Sequence, residues 1–309
     1  YDTLLPDVKV KPRPNVILLF APRSRCYGHA LNSADCEINS VIYQGLKKYM
    51  EIFGEKKAAT FEYFGDSLLY CSITASIPWI VDADMKEYFK LGVGAAGCLM
   101  FGSYTWWAHP LNLYVFAKMA FNVETNVEDL MLDYVRNMFP SASGEMLTYY
   151  RDLEKAVGLL LRFSDWRYRM AQQEPKKDLT LKVEEALSRI EELQMRVERL
   201  SARLTGQENQ RLQRERSILE VTRLFVNSLK SSMLGKRSLM ENNFKEALLH
   251  LTKEEEELEK MTAYLMTVDP QLRGSWGYPG QGENERVKNY LLQRIRKQKE
   301  ELNQRLRGA

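Results

Sequence analysis

A chain of 309 residues with 45% apolar content can bury a sizeable core and has room for two domains. Its 44 basic and 41 acidic residues leave a formal net charge of +3, which removes the electrostatic case for a nucleic-acid partner. No apolar run reaches the roughly 18 residues of a membrane span and none resembles a signal peptide, so no membrane partner is expected; the missing signal says little about export, and localisation is left open with a slight lean to the cytoplasm.

Pro6, Pro12 and Pro14 predict an extended lead-in. Asn15 to Phe20 is a continuous apolar, partly β-branched run, the pattern of a strand buried on both faces. It ends in Ala21-Pro-Arg-Ser-Arg-Cys-Tyr-Gly-His29, a loop dense in functional groups. Ile38 to Phe53 has helical spacing (Val41, Ile42, Leu46, Tyr49, Met50), with Gly54 as its stop. Two further strand–helix pairs follow: Ala58 to Gly65 with a helix from Asp84 to Gly92, and Gly94 to Gly102 with a helix from Asn112 to Phe121. Asn126 to Met138 is another helix, with Asn126 as N-cap and Glu128 and Asp129 in its first turn. Residues 1–140 thus hold about three β/α units, whose crossovers demand parallel strands. Three strands cannot close a barrel of eight, so edges and an apolar inner face are left for something else to cover.

Residues 141–309 predict no strand. Val183, Ile190, Val197 and Leu204 recur every seven positions, with Ala186, Leu193 and Leu200 three after the first three, an a/d seam suited to a helical hairpin. Gly206 marks a turn, followed by helices over Leu212 to Met233 and Phe244 to Met266, the latter with Glu254 to Glu257 on a solvated face. Pro270 breaks the pattern, Trp276 and Tyr278 lie in a Gly-rich loop read as packing between helices, and Arg286 to Arg305 closes with a basic helix. The fold class is therefore α/β followed by an all-α helical bundle, divided near residue 140.

Glu62 lies within a strand, where an isolated carboxylate is too costly to bury. It is either a ligand contact or acid/base group, or half of a structural pair with an Arg or Lys from a neighbouring strand. Asp66, just past the strand end, is a second candidate carboxylate or a turn cap. Tyr104, Trp106 and Trp107 suit sugar recognition, since pyranose C–H faces pack on aromatic rings, and equally suit ordinary packing. Arg23, Arg25 and His29 form an anion clamp, or salt bridges to Asp35 and Glu37. Cys26 and Cys36 bracket His29; a disulfide, a metal site and two free thiols all fit, and free thiols are expected. A zinc set of Cys26, His29, Cys36 and His109 matches no standard spacing, so no metal is expected. Cys98 reads as a small buried hydrophobe. With no Gly-rich phosphate loop, no zinc-protease helix and no Gly-x-Ser-x-Gly elbow, no cofactor is expected either.

Several of these motifs, taken in order, resemble the bacterial domain of unknown function numbered 4838. They are Phe20-Ala-Pro-Arg-Ser-Arg-Cys-Tyr-Gly-His-Ala-Leu31 with Asp35-Cys36 and Asn39, Glu62-Tyr63-x-x-Asp66-x-x-x-Tyr70, Leu91-Gly-Val-Gly-Ala95, and Leu113 to Asn122 with Asn126-Val-Glu-Asp129. The match covers residues 1–150. The resemblance implies the C-terminal part of a glycosidase-type (β/α)8 barrel, the three strands being the sixth to eighth, with appended helices. It implies a carbohydrate ligand and glycoside hydrolysis, with the catalytic acid in an N-terminal part outside this chain and Glu62, Tyr63 and Tyr104 as substrate contacts; Arg23, His29, Tyr70, Trp106 and Trp107 complete the candidate substrate-binding set. Glu62 and Asp66 are the candidate carboxylates in this chain, although related barrels place the catalytic pair mainly on the fourth strand. Met100-Phe101-Gly102 stands where the family commonly has an acidic residue. The N-terminal remainder of the barrel, or a second copy of the chain, is the expected partner at the open edges. The alternative is a non-catalytic structural protein whose helical domain mediates assembly.

Overall fold

Residues 11–65, 74–100, 109–161, 177–267 and 291–308 are described by a computed structural model. Expectations for Asp66, Tyr70, Tyr104, Trp106, Trp107, Trp276 and Tyr278 fall outside these residues. The chain divides into two units, the first holding the sheet and the helices through Leu161, the second holding the helices from Lys177 onward.

In the first unit β1 (Leu18–Phe20), β2 (Ala58–Gly65) and β3 (Ala95–Met100) form one parallel sheet in the order β1-β2-β3, as the crossovers require. Phe20 pairs with Thr60 and Glu62 with Cys98, so these residues share one face. That face meets α1 (Glu37–Phe53) and α2 (Pro78–Lys90): Phe20 packs against Tyr49 of α1, and Glu62 bonds to Tyr88 of α2. The other face carries Ile17, Leu19, Ala59, Phe61, Tyr63 and Gly97. Ile17 and Leu19 are 64% and 63% exposed there. Strand β1 is therefore covered on one face, not two, because three strands do not curl far enough to bring a second layer over it. A closed barrel is not formed among the described residues. Cys98 is only half-buried, since β3 is an edge strand of this sheet.

Helix α1 stops at Gly54, whose φ of +85° lies in the left-handed region open to glycine. Helix α3 (Pro110–Phe121) brings in Asn112, which accepts from Ile77 N at 2.7 Å and donates to Phe64 O and Ala75 O at 3.1 and 2.7 Å. One buried amide thereby holds the end of β2 and the entry to α2 together. Asn126 caps α4 (Val127–Met138), its Oδ1 accepting from Glu128 N at 2.8 Å. After a 3₁₀ turn at Pro140–Ala142, α5 (Ser143–Leu161) folds back onto the same unit. Tyr150 stacks edge-on with His109 and Tyr134, which ties α5 to α3 and α4. The division placed near residue 140 thus falls between two helices that the aromatic cluster joins.

The second unit contains α6 (Lys177–Ser201), α7 (Gly206–Met240), α8 (Phe244–Thr267) and α9 (Gln293–Gly308). Val183, Ala186, Ile190, Leu193, Val197 and Leu200 are all buried, and α6 packs along α7, so the heptad seam is filled within this chain. Helix α7 begins at Gly206, earlier than the apolar pattern suggests, because its first turn is a polar run entered from Thr205. Asn242, with φ +56°, turns the chain into α8, where Asn243 Oδ1 accepts from Glu246 N at 3.2 Å. The glutamates of α8 are not a purely solvated face. Glu254 is buried near Arg294, while Glu255 bonds Arg296 and Lys299 at 2.6 Å each, pairing α8 with the basic α9.

In the first unit the amide of Trp79, in the opening turn of α2, donates to Glu154 Oε2 of α5 at 3.1 Å. Burial raises the Glu154 carboxyl to about 8, against the pull of the Trp79 and Ile80 amides and with the Asp84 charge adding to the rise. The folded state therefore holds a proton that the unfolded chain releases near 4.5. Stability from this group is complete below 4.5 and is lost as pH rises through about 8. Glu154→Gln should flatten the decline in urea-unfolding stability between pH 4.5 and about 8. An unchanged slope in the variant would remove Glu154 as its source.

Candidate functional site

The loop between β1 and α1 folds over the C-terminal end of the sheet because its polar side chains reach inward. Arg25 is fully buried, its Nη1 lying 3.1 Å from Glu62 Oε1 and 2.6 Å from Asp84 Oδ2. Its Nη2 donates to His29 O at 3.0 Å, and its guanidinium sits 4.7 Å from the ring centre of Tyr27. Tyr27 donates to Glu62 Oε2 at 2.8 Å, Tyr88 donates to Glu62 Oε1, and Leu31 N donates to Asp84 Oδ1 at 2.7 Å. One cation faces two carboxylates, so the cluster carries a surplus negative charge. Burial, joined by the Glu62 charge and opposed by Arg25, raises Asp84 to about 6. Burial lowers the Arg25 pKa, but Asp84 and Glu62 outweigh it and the guanidinium stays charged. Asp84 is ionised only near neutrality, so its protonated form favours the fold below 3.8 and that gain is lost as pH rises through about 6.

This arrangement decides between the readings of Glu62. Both of its oxygens are engaged, and no part of it is exposed. Glu62 is a buried partner of Arg25, the pairing that the structural reading of this residue expects. Arg25 itself does not pair with Asp35 or Glu37, the partners its sequence neighbourhood suggests. Its partners come from β2 and α2, where Asp84 reads in the sequence only as the opening of a helix.

Strand alternation puts Tyr63 on the opposite face from Glu62. There the Arg23 guanidinium lies 6.0 Å from the Tyr63 ring centre, and Phe61 meets Tyr63 edge-on at 5.6 Å. Arg23 is half-buried and Tyr63 is mostly covered. Of the predicted substrate contacts, the structure brings these two together on the face of the sheet opposite Glu62, at its C-terminal end, with Tyr63 itself buried. His29 belongs to a different group. Its Nδ1 is 3.3 Å from Cys26 Sγ, and Cys26 Sγ, His29 and Cys36 Sγ offer ligand atoms all within 4.8 Å of one another. Both cysteines are free thiols. A hydrogen bond from Cys26 lowers the Cys36 thiol to about 5, helped by the Asn39 and Ile38 amides at the start of α1 and by His29, and opposed by burial. The same hydrogen bond and burial raise Cys26. His109 takes no part: it is buried, accepts from Leu111 N through Nδ1 at 3.3 Å, and stacks on Tyr150.

A groove of about 650 Å³ lies at the other end of the sheet, lined by Lys56, Phe89, Gly94, Ala96 and Phe121. Chemistry in β/α folds belongs at the C-terminal strand ends, and this groove holds no acid pair.

Comparison with known proteins supports the architecture at a coarse level. No family model matches the chain, and no curated protein does. Among solved structures, a GH138 enzyme targeting pectin rhamnogalacturonan II matches with a TM-score of 0.51 at 11% identity. The match covers 94% of this chain and 62% of that one. The chain therefore has, in fold, the likeness of a large part of a glycoside hydrolase.

Removing one partner of a buried ion pair leaves the other charge uncompensated, at a cost of about 3–5 kcal/mol. Glu62→Gln and Arg25→Met should each destabilise the first unit by about that order in denaturant unfolding. A Glu62→Gln protein as stable as the wild type, but impaired in sugar binding, would return Glu62 to the ligand.

Proposed function

We propose that this chain is part of a carbohydrate-active, glycoside-hydrolase-like protein and supplies one wall of its sugar-binding pocket. The observation that carries the reading is Arg23, half-buried beside the Tyr63 ring at the C-terminal strand ends of the parallel sheet. The Tyr63 ring is itself covered and positions Arg23, whose half-buried guanidinium is a charged donor suited to sugar hydroxyls. The fold likeness to a glycoside hydrolase and the motif resemblance to the domain family numbered 4838 support it. The catalytic carboxylates are then residues other than Glu62, which the Arg25 cluster occupies. Asp66, Tyr70, Tyr104, Trp106 and Trp107 remain part of the proposed pocket on sequence grounds. The open edges of β1 and β3 are proposed to pair with the remaining staves of a barrel, or with a second copy of the chain.

Glycan arrays that include rhamnogalacturonan fragments test this reading. Binding by the wild type should fall about tenfold or more in Arg23→Ala, a loss of roughly 1.4 kcal/mol, while unfolding stability changes little. Absence of binding to every glycan and no hydrolysis of any glycosidase substrate would overturn it.

The exposed apolar row of Val16, Ile17 and Leu19 favours a second reading, a non-catalytic assembly module. The heptad seam does not argue for it, since α7 already fills that seam. Sedimentation across a range of concentrations should show reversible self-association if this reading holds, and a concentration-independent monomer if it does not.

A further inference from the structure

Cys26, His29 and Cys36 are not used by the proposed sugar pocket, yet the chain holds them in a defined arrangement. Their ligand atoms lie within 4.8 Å of one another, and Cys26 Sγ to His29 Nδ1 is 3.3 Å. Two thiolates and an imidazole around one tetrahedral zinc ion, with bonds of about 2.3 and 2.0 Å, stand about 3.5–3.8 Å apart. Small side-chain adjustments therefore close the set on a single ion.

The backbone carrying these ligands is fixed by bonds that do not involve the ligand atoms. Asn39 accepts from Cys26 N at 2.7 Å and donates to the carbonyls of Cys26, His29 and Ala30 at 2.9, 3.0 and 3.0 Å. Arg25 Nη2 also donates to His29 O. Such support around ligand residues is what gives metal sites their affinity. Leu161 O lies 3.6 Å from Cys26 Sγ, near enough for it, or a water beside it, to complete the fourth position. Both cysteines are buried, while His29 stands half-buried at the rim and offers an entry.

We propose that Cys26, Cys36 and His29 bind one thiophilic divalent cation of the zinc class, which clips the β1–α1 loop to the start of α1. On binding, the proton left on the thiol pair passes to solvent and both sulfurs coordinate as thiolates, with no change of oxidation state.

The test uses the full 309-residue chain, metal-stripped and kept reduced by a phosphine. Cobalt(II) should give a sulfur-to-metal charge-transfer band and tetrahedral d–d bands that saturate at one equivalent. Zinc(II) should displace the cobalt and raise the thermal unfolding midpoint. His29→Ala removes only a rim side chain, since the Arg25 and Asn39 bonds go to the His29 carbonyl. It should fold and bind zinc at least about tenfold more weakly. Cys36→Ser should lose the charge-transfer band, and a Cys71→Ser/Cys98→Ser double variant should keep it. The proposal is overturned if the reduced wild type takes up no cobalt, if His29→Ala binds zinc as the wild type does, or if the double variant loses the band. It fails equally if Cys26 and Cys36 form a disulfide that the phosphine does not open. None of these readouts depends on sugar binding.

Discussion

Arg25 lies between two buried carboxylates, and the first unit is arranged around that contact. Glu62 comes from the middle strand, Asp84 from the helix after it, and Arg25 from the loop after β1. Burying three charges is expensive, and their mutual attraction offsets the cost only when hydrogen bonds occupy the remaining valences. Here Tyr27, Tyr88 and the Leu31 amide occupy the carboxylate oxygens, while Arg25 Nε is left without a hydrogen bond. The surplus negative charge is absorbed by the raised affinity of Asp84 for a proton. Once Arg25 is fixed, the loop conformation follows: His29 O is held, Asn39 closes over the turn, and Arg23 is left on the far side of the sheet over Tyr63.

The same geometry separates structural from functional chemistry across the sheet. Arg25, Glu62 and Asp84, on the side facing α1 and α2, are buried against one another. The opposite face is apolar and aromatic: Ile17 and Leu19 are exposed there, while Tyr63 is buried beside Arg23. A pocket wall on that side would draw its rigidity from the ion cluster behind it. The two thiols and His29 stand at the margin of this division, held by the loop that Arg25 and Asn39 anchor.

Much of the scaffold can be read directly from the chain. Strand–helix alternation predicts parallel pairing, Asn126 and Gly54 mark helix ends, and the sevenfold apolar recurrence from Val183 matches a hairpin. The local rules carry these because each depends on residues a few positions apart. The site is less legible. Pattern alone offers both Glu62 and Tyr63 to a ligand, although neighbours in a strand point to opposite faces and only one of them can reach it. Arg25 finds its partners 37 and 59 positions away, a pairing set by tertiary packing that no local pattern encodes. Asp84 reads as the start of an amphipathic helix, and the glutamates near Glu255 read as solvated, because burial of a charge leaves no trace in sequence without its partner. The apolar run before Phe20 specifies the strand but not its covering, which depends on how many strands the sheet contains.

Native-state hydrogen exchange on the full chain tests the ion cluster most directly. The Leu31 amide sits in a loop and donates to Asp84, so its protection reports the cluster itself. If the cluster organises the unit, Leu31 should exchange with the same opening free energy as the amides of Phe61 to Phe64 in β2, and all should lose protection together in Arg25→Met. A Leu31 amide that exchanges orders of magnitude faster than those of β2, or that is indifferent to loss of Arg25, would contradict the account.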